Sequence, residues 1–189
     1  MQPGHAEIVG AGFGGLVAAI GLREAGWTVR VHERRATLQG EGYGIAIHNN
    51  MARIFSRFGL LERVLAAGMK IDRRDSLDAH GNVVMSRRTA RSPYRIDRQR
   101  IIALLAERAH DAGAEIRFNS AVTRAAPEGT ITLQDGARLA ADLVVVADGI
   151  NSTIRDQLRL LKHPRSGSIF RFFLALARID PMRLTTRLL

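Results

Sequence analysis

At 189 residues and 46% hydrophobic side chains, the chain can build a real core and fits one domain or one domain and part of a second, which excludes a disordered chain. It contains no cysteine, so a disulfide framework, a thiolate metal site and a thiol nucleophile are all excluded. The formal charge of +10 invites a nucleic-acid reading. However, all but Lys70 and Lys162 of the 28 cationic residues are arginine, and seven cations fall from Arg159 onward against Asp180 alone, a compositional bias rather than a phosphate-tracking surface.

In chain order, Ala6-Glu7-Ile8-Val9 is a short apolar run ending in glycine, as a buried parallel strand does. Leu16, Val17, Ile20 and Leu22 then recur at helical spacing, with Gly26 as the stop. Thr28-Val29-Arg30-Val31-His32 alternates as a second strand with Glu33 at its carboxyl end, completing a β-α-β unit. Gly40 to Gly44 is a glycine-rich loop, and Met51 to Leu65 reads as helix broken near Gly59. Ser76-Leu77-Asp78 and Val83-Val84-Met85 flank the turn Ala79-His80-Gly81-Asn82 and predict a hairpin. Arg98 to Ala112 places Ile101, Leu104, Leu105, Ala106 and Ala109 on one helical face, and Glu115 to Phe118 follows as a strand.

Turn signals at Pro127-Glu128-Gly129 and Asp135-Gly136 bracket a strand over Thr130 to Leu133, a small meander. Leu143 to Ala147 is the strongest buried-strand signal in the chain, and Asn151 or Ser152 can cap a helix after it. Ile169 to Leu176 is compatible with a strand, while the arginine-rich end shows no clean period. No apolar run reaches the ~18 residues of a membrane span and the first strand leaves no room for a signal peptide, so the chain is read as cytosolic, without membrane or nucleic-acid partners.

Backbone that lets a phosphate diester approach needs residues without Cβ, exposed N–H groups and the positive end of a helix dipole. Gly10, Gly12, Gly14 and Gly15 follow a strand and open a helix, and Glu33 comes 18 positions after Gly15, near the interval of about 20 expected for a ribose-binding carboxylate. Such a carboxylate would repel a 2′-phosphate, so FAD or NAD suits the site better than NADP. Arg34 or Arg35 is placed to lie over the adenine. The histidines at 48, 80, 110 and 163 lack metal-ligand spacing, and no metal is expected.

Glu7-Ile8-Val9-Gly10-Ala11-Gly12-Phe13-Gly14-Gly15-Leu16 with Gly26 to Arg34, then Gly42-Tyr43-Gly44-Ile45 with Asn50, Arg98-Gln99-Arg100-Ile101, and Ala147-Asp148-Gly149-Ile150-Asn151-Ser152-Thr153-Ile154-Arg155 together resemble the FAD-dependent aromatic-ring monooxygenases of the p-hydroxybenzoate and salicylate hydroxylase type. The opening and the stretch from Gly42 to Asn50 look closest to the pyridine-ring oxygenases such as methylhydroxypyridinecarboxylate oxygenase. The resemblance implies an α/β, Rossmann-like FAD-binding domain, a parallel sheet with crossover helices and a small β-meander, joined to an incomplete antiparallel substrate portion. The expected division is 1–70 for the ADP-binding βαβ and flavin loop, 71–96 for an inserted hairpin of the substrate region, 97–161 for the return to the FAD domain, and 162–189 for the start of the substrate domain and a basic tail.

On that resemblance Arg98 contacts the FAD phosphates and ribityl chain, the backbone at Val122 meets the adenine, and Asp148-Gly149 serves both FAD and NAD(P)H. Val146 stands where the family has glycine, and its branched side chain is expected to narrow the approach to the cofactor. The implied reaction uses NADH or NADPH to reduce non-covalent FAD, which with oxygen forms a C4a-hydroperoxide that hydroxylates a small aromatic or pyridine ring. No side chain is singled out as catalytic. The resemblance runs from Ala6 to about Leu174 and lacks the family's later Gly-Asp motif, so a truncated monooxygenase is expected, with a non-catalytic nucleotide-binding remnant and an NAD-dependent dehydrogenase as the other readings.

Overall fold

The computed structural model describes residues 3–40, 44–88, 94–158 and 174–177. Two compact units are present, one made of Met1–Leu38 with Leu105–Leu189 and the other of Gln39–Leu104.

The first unit begins with β1 (His5–Val9), α1 (Phe13–Glu24) and β2 (Thr28–His32). Ala6, Ile8, Val9, Val29 and Val31 are buried, as are Leu16 and Ile20 four residues apart on α1, so one face of the helix closes over the sheet. The chain returns through the C-terminal part of α4 (Arg98–Asp111), then β8 (Glu115–Arg117), β9 (Val122–Ala126), β10 (Thr130–Leu133), β11 (Arg138–Ala140), β12 (Leu143–Val146), α5 (Thr153–Gln157) and β13 (Leu174–Ala177). The main sheet has the order β13-β12-β1-β2-β8. β12, β1, β2 and β8 run parallel, with Ile8 opposite Val145 on one side and Val31 on the other. β13 adds antiparallel to β12, pairing Leu143 with Ala177 and Val146 with Leu174. All four residues of β12 are buried, and each such aliphatic contributes about 1.5–3 kcal/mol by leaving water.

β9, β10 and β11 form the meander as a separate antiparallel sheet. Its buried residues Ala125 and Ile131 pack with Val9, Val144, Val146 and Ile154, which ties the meander to the parallel sheet. Of the two capping residues the sequence offers for α5, Ser152 is the one used: its hydroxyl accepts from the Arg155 N–H at 3.1 Å.

In the second unit are β3 (Ile45–Ile47), α2 (Asn49–Arg57), α3 (Leu61–Ala66), β4 (Met69–Lys70), β5 (Arg73–Leu77), β6 (Val83–Arg88), β7 (Tyr94–Ile96) and the first turns of α4. The helical stretch does break at Gly59, between α2 and α3. β3, β7 and β4 form one antiparallel sheet. β5 and β6 form a two-stranded hairpin whose turn is organised by Asp78, which accepts the N–H groups of His80 and Asn82 at 2.8 Å each. Residues 41–43 of the glycine-rich loop, 169–173 of the late strand reading and the basic stretch from 178 lie outside the described residues. Among the described residues no helix is long and apolar enough to cross a membrane.

Candidate functional site

Parallel α/β sheets bind ligands at the carboxyl ends of their strands, and here the glycine loop leaves β1 at that edge. Gly10 has φ +98°, and a Cβ on it would sit 2.6 Å from the carbonyl oxygen of Ala147. Only glycine allows the loop after β1 to pass so close to the chain leaving β12. Gly15, in the first turn of α1, packs so tightly on Gly10 that a Cβ would collide with that residue's carbonyl oxygen. Gly12 is the contrast: a Cβ there would meet nothing within 4 Å. Backbone is thus packed behind the loop and open in front of it, at the N-terminus of a helix that no side chain caps and whose first turn holds no acidic residue. That opening suits a phosphate diester.

Glu33 follows β2 and its carboxylate lies over the same loop. Oε2 accepts the N–H of Ala11 at 3.1 Å and Oε1 accepts the N–H of Arg35 at 3.0 Å. Asp148 and Gly149 continue directly from Ala147, so the backbone of Asp148 comes within 3.1 Å of the position a Gly10 Cβ would take. Gly10, Gly12, Gly14, Gly15, Glu33, Asp148 and Gly149 therefore belong to one edge of the sheet. Arg34 is exposed beyond the end of β2. Val122 opens β9 and is half-buried against the cluster containing Val9 and Ile131. Arg98 opens α4 in the other compact unit, where a Cβ on Gly40 would press into the backbone of Arg98 and Gln99.

One expectation is corrected. Val146 does not narrow the approach to the loop: it is 2% exposed and packed with Val144 and Ile154, so its branches fill the core.

A polar network beneath the site escaped the sequence reading. Glu7, on β1, is 1% exposed. Its Oε2 lies 2.7 Å from His32 Nε2, and its Oε1 lies 2.9 Å from His5 Nε2 and accepts from Arg30 Nη1 at 3.0 Å. Burial raises the Glu7 carboxyl, but the hydrogen bonds of His32 and His5 and the charges of His32 and Arg30 outweigh it and hold the group below the ordinary carboxylate range. The wholly buried His32 ring places its Nδ1 2.7 Å from Ser120 Oγ, just past β8. Arg30 also donates to Glu115 at 2.8 Å, and Arg117 donates to the same carboxylate at 2.6 Å. The signal was present in the sequence: a Glu and a His inside otherwise apolar buried strands require partners.

An uncapped glycine loop between β1 and α1, crossed by a carboxylate from the end of β2, is how a βαβ domain takes the ADP end of a dinucleotide. Which dinucleotide follows from the family: the model of the FAD binding domain matches residues 5–185, and the chain belongs to that family. A 2-heptyl-3-hydroxy-4(1H)-quinolone synthase of Mycobacteroides abscessus is 37% identical over 171 residues, covering 84% of this chain and 43% of the relative. Among solved structures, 2-methyl-3-hydroxypyridine-5-carboxylic acid oxygenase superposes with a TM-score of 0.77 at 36% identity, covering 84% of this chain and 43% of that one. CtdE in complex with FAD superposes with a TM-score of 0.72 at 30% identity over 82% of this chain and 41% of that one. The chain thus spans less than half the length of these relatives.

Proposed function

We propose that this chain is the FAD-holding part of a cytoplasmic monooxygenase that hydroxylates a small nitrogen-containing aromatic ring, using oxygen and NADH or NADPH. The observation that carries the cofactor half of the reading is the Glu33 carboxylate laid on the Ala11 N–H beside the open face of Gly12. The ring class rests on the kinship with a quinolone synthase and a hydroxypyridine carboxylic acid oxygenase.

Bound FAD supplies the redox and oxygen chemistry, and the protein supplies binding, orientation and exclusion of water. In this reading the backbone from Gly10 to Gly15 and the start of α1 face the pyrophosphate, and Glu33 accepts hydrogen bonds from the adenosine ribose. Arg34 lies over the adenine and the backbone at Val122 borders it. Asp148-Gly149 serves FAD and the nicotinamide donor.

Purified chain reconstituted with FAD is expected to keep the flavin's visible absorption through gel filtration, and Glu33→Arg to lose it. A chain that retains no flavin refutes the cofactor reading. Oxidation of NADH or NADPH stimulated by a hydroxypyridine carboxylate supports the reaction, whereas flavin retention without stimulated oxidation leaves a nucleotide-binding protein without turnover.

A further inference from the structure

Glu33 is the residue on which the proposed adenosine contact depends, and its backbone is fixed from two sides. Its N–H donates to the Arg117 carbonyl at 2.8 Å, and its carbonyl accepts the Ser120 N–H at 2.9 Å. The Arg35 carbonyl accepts the Asn119 N–H at 3.0 Å, so Asn119 and Ser120 lie alongside Glu33 to Arg35. Asn119 makes that turn with φ 52°, in the left-handed region that favours glycine and that Asn enters more readily than most side chains. One side chain reaches into the core from this segment. Ser120 Oγ meets His32 Nδ1 at 2.7 Å, and His32 Nε2 is anchored at 2.7 Å on the buried Glu7.

We propose that His32 is a positioning residue for the adenosine site: through Ser120 it clamps the Asn119–Val122 segment against Glu33 and so sets the affinity for the ADP moiety of the cofactor. The inference rests on the FAD reading above.

The direction of the bond to Glu7 follows from the inventory of donors. An ionised carboxylate only accepts, so the nitrogen facing Glu7 carries a hydrogen. The ring's other nitrogen, Nδ1, meets the Ser120 hydroxyl, which serves as donor or acceptor. His32 thus fixes where Ser120 sits. The ionisable groups around this clamp are Glu7 and His5 on β1, Arg30 on β2, and Glu115 and Arg117 on β8. Each is engaged with another member of the same network, so the imidazole is held in one orientation rather than merely enclosed. His32 also lends its carbonyl to the Gly10 N–H at 2.8 Å, so the residue that fixes the segment after β8 sits on backbone that fixes the glycine loop as well. Both walls of the opening beside Glu33 are referred to one buried residue.

The test measures ADP and FAD affinity by calorimetry for Ser120→Ala, Ser120→Thr and His32→Asn, alongside melting of each protein without ligand and amide exchange over 117–122. One lost hydrogen bond of ordinary strength corresponds to roughly a 3- to 10-fold loss of affinity. Ser120→Ala is expected to bind both ligands that much more weakly and to melt below the parent, because the buried His32 Nδ1 loses its partner, Ser120→Thr to restore both, and both Ser120→Ala and His32→Asn to exchange the Ser120 amide faster. Unchanged affinity in Ser120→Ala, no rescue by threonine, or unchanged exchange at Ser120 would each overturn the clamp. Parent protein that binds neither ADP nor FAD refutes the cofactor reading. The exchange rates then still decide the clamp, because unchanged exchange in the variants means that His32 does not hold the segment.

Discussion

Two pairs of strands in this protein carry charge in opposite ways. Across β1 and β2, Glu7 is buried with each oxygen engaged, its partners are His5, Arg30 and His32, and Arg30 passes the chain of contacts on to Glu115. Across β5 and β6, Arg73 stands opposite Arg88 and Arg74 opposite Arg87, with Asp75 bonded to Arg73 alone among these arginines. The hairpin also leaves Leu77, Val83 and Val84 more than half exposed. In the first pair, desolvation makes every missing partner expensive, and no buried side-chain nitrogen or oxygen among the described residues lacks one. In the second, solvent screens repulsion that would be intolerable inside, and pairing rests on backbone hydrogen bonds and the Asp75–Ser86 contact between the strands. Strands of similar length therefore depend on their charges to very different degrees.

The sharpest way to break the contrast is Glu7→Ala, which leaves the His32 ring and the Arg30 contact without their acceptor. Removing one partner of a buried pair costs about 3–5 kcal/mol, and the urea midpoint should fall accordingly. A loss below about 1 kcal/mol would place the network outside the cooperative core. Next in size is Gly15→Ala, whose Cβ meets the Gly10 carbonyl; an overpacked contact of this kind costs about 1–3 kcal/mol, read by the same titration and accompanied by weaker FAD retention.

Acid titration distinguishes the two regions by sign and size. The Glu7 carboxyl is held below its ordinary value of 4.5 in the folded state, so its contribution is complete above that value and is lost as pH falls through the lower folded one. Melting temperature should therefore drop on acidification, and Glu7→Gln should flatten the drop. Asp75 is lowered by hydrogen bonds from Ser86 and Arg73 but stands in solvent, so Asp75→Asn should barely alter the curve. The smallest effect is expected from Arg87→Glu, which turns an Arg–Arg rung into an ion pair with Arg74. A gain of about 0.2–1 kcal/mol should appear as slower proteolysis of the hairpin, and faster cleavage would show that the arginine rung is not a strain on it.

The same contrast explains what could be read from sequence. β1, α1, β2 and β12 were legible because glycine spacing and unbroken apolar runs are local signals, and the same spacing pointed to the loop of Gly10, Gly12 and Gly15 with Glu33 beside it that is proposed as the site. β4 was not: Met69 and Lys70 become strand only because Tyr94 and Arg95 lie opposite. Arg138–Ala140 likewise owes its pairing to Thr130–Thr132, and at three residues it is too short for its alternation to be a signal. The Glu7, His32 and Ser120 network joins residues up to 113 positions apart, and only the parallel stacking of β1, β2 and β8 brings them together. Val146 was misjudged for a related reason, since the side of the strand it faces is set by the meander packed beneath it.

The antiparallel addition of β13 to β12 has a bearing on solubility. Four consecutive buried aliphatics with one unpaired edge would be a seed for intermolecular strand addition, and β13 takes up that edge by pairing along the whole of Leu143–Val146. Shortening the chain ahead of Leu174 would hand the most apolar strand of the sheet to whatever extended segment reached it first, so the yield of unaggregated protein should fall although the strand removed pairs with β12 and not with β1.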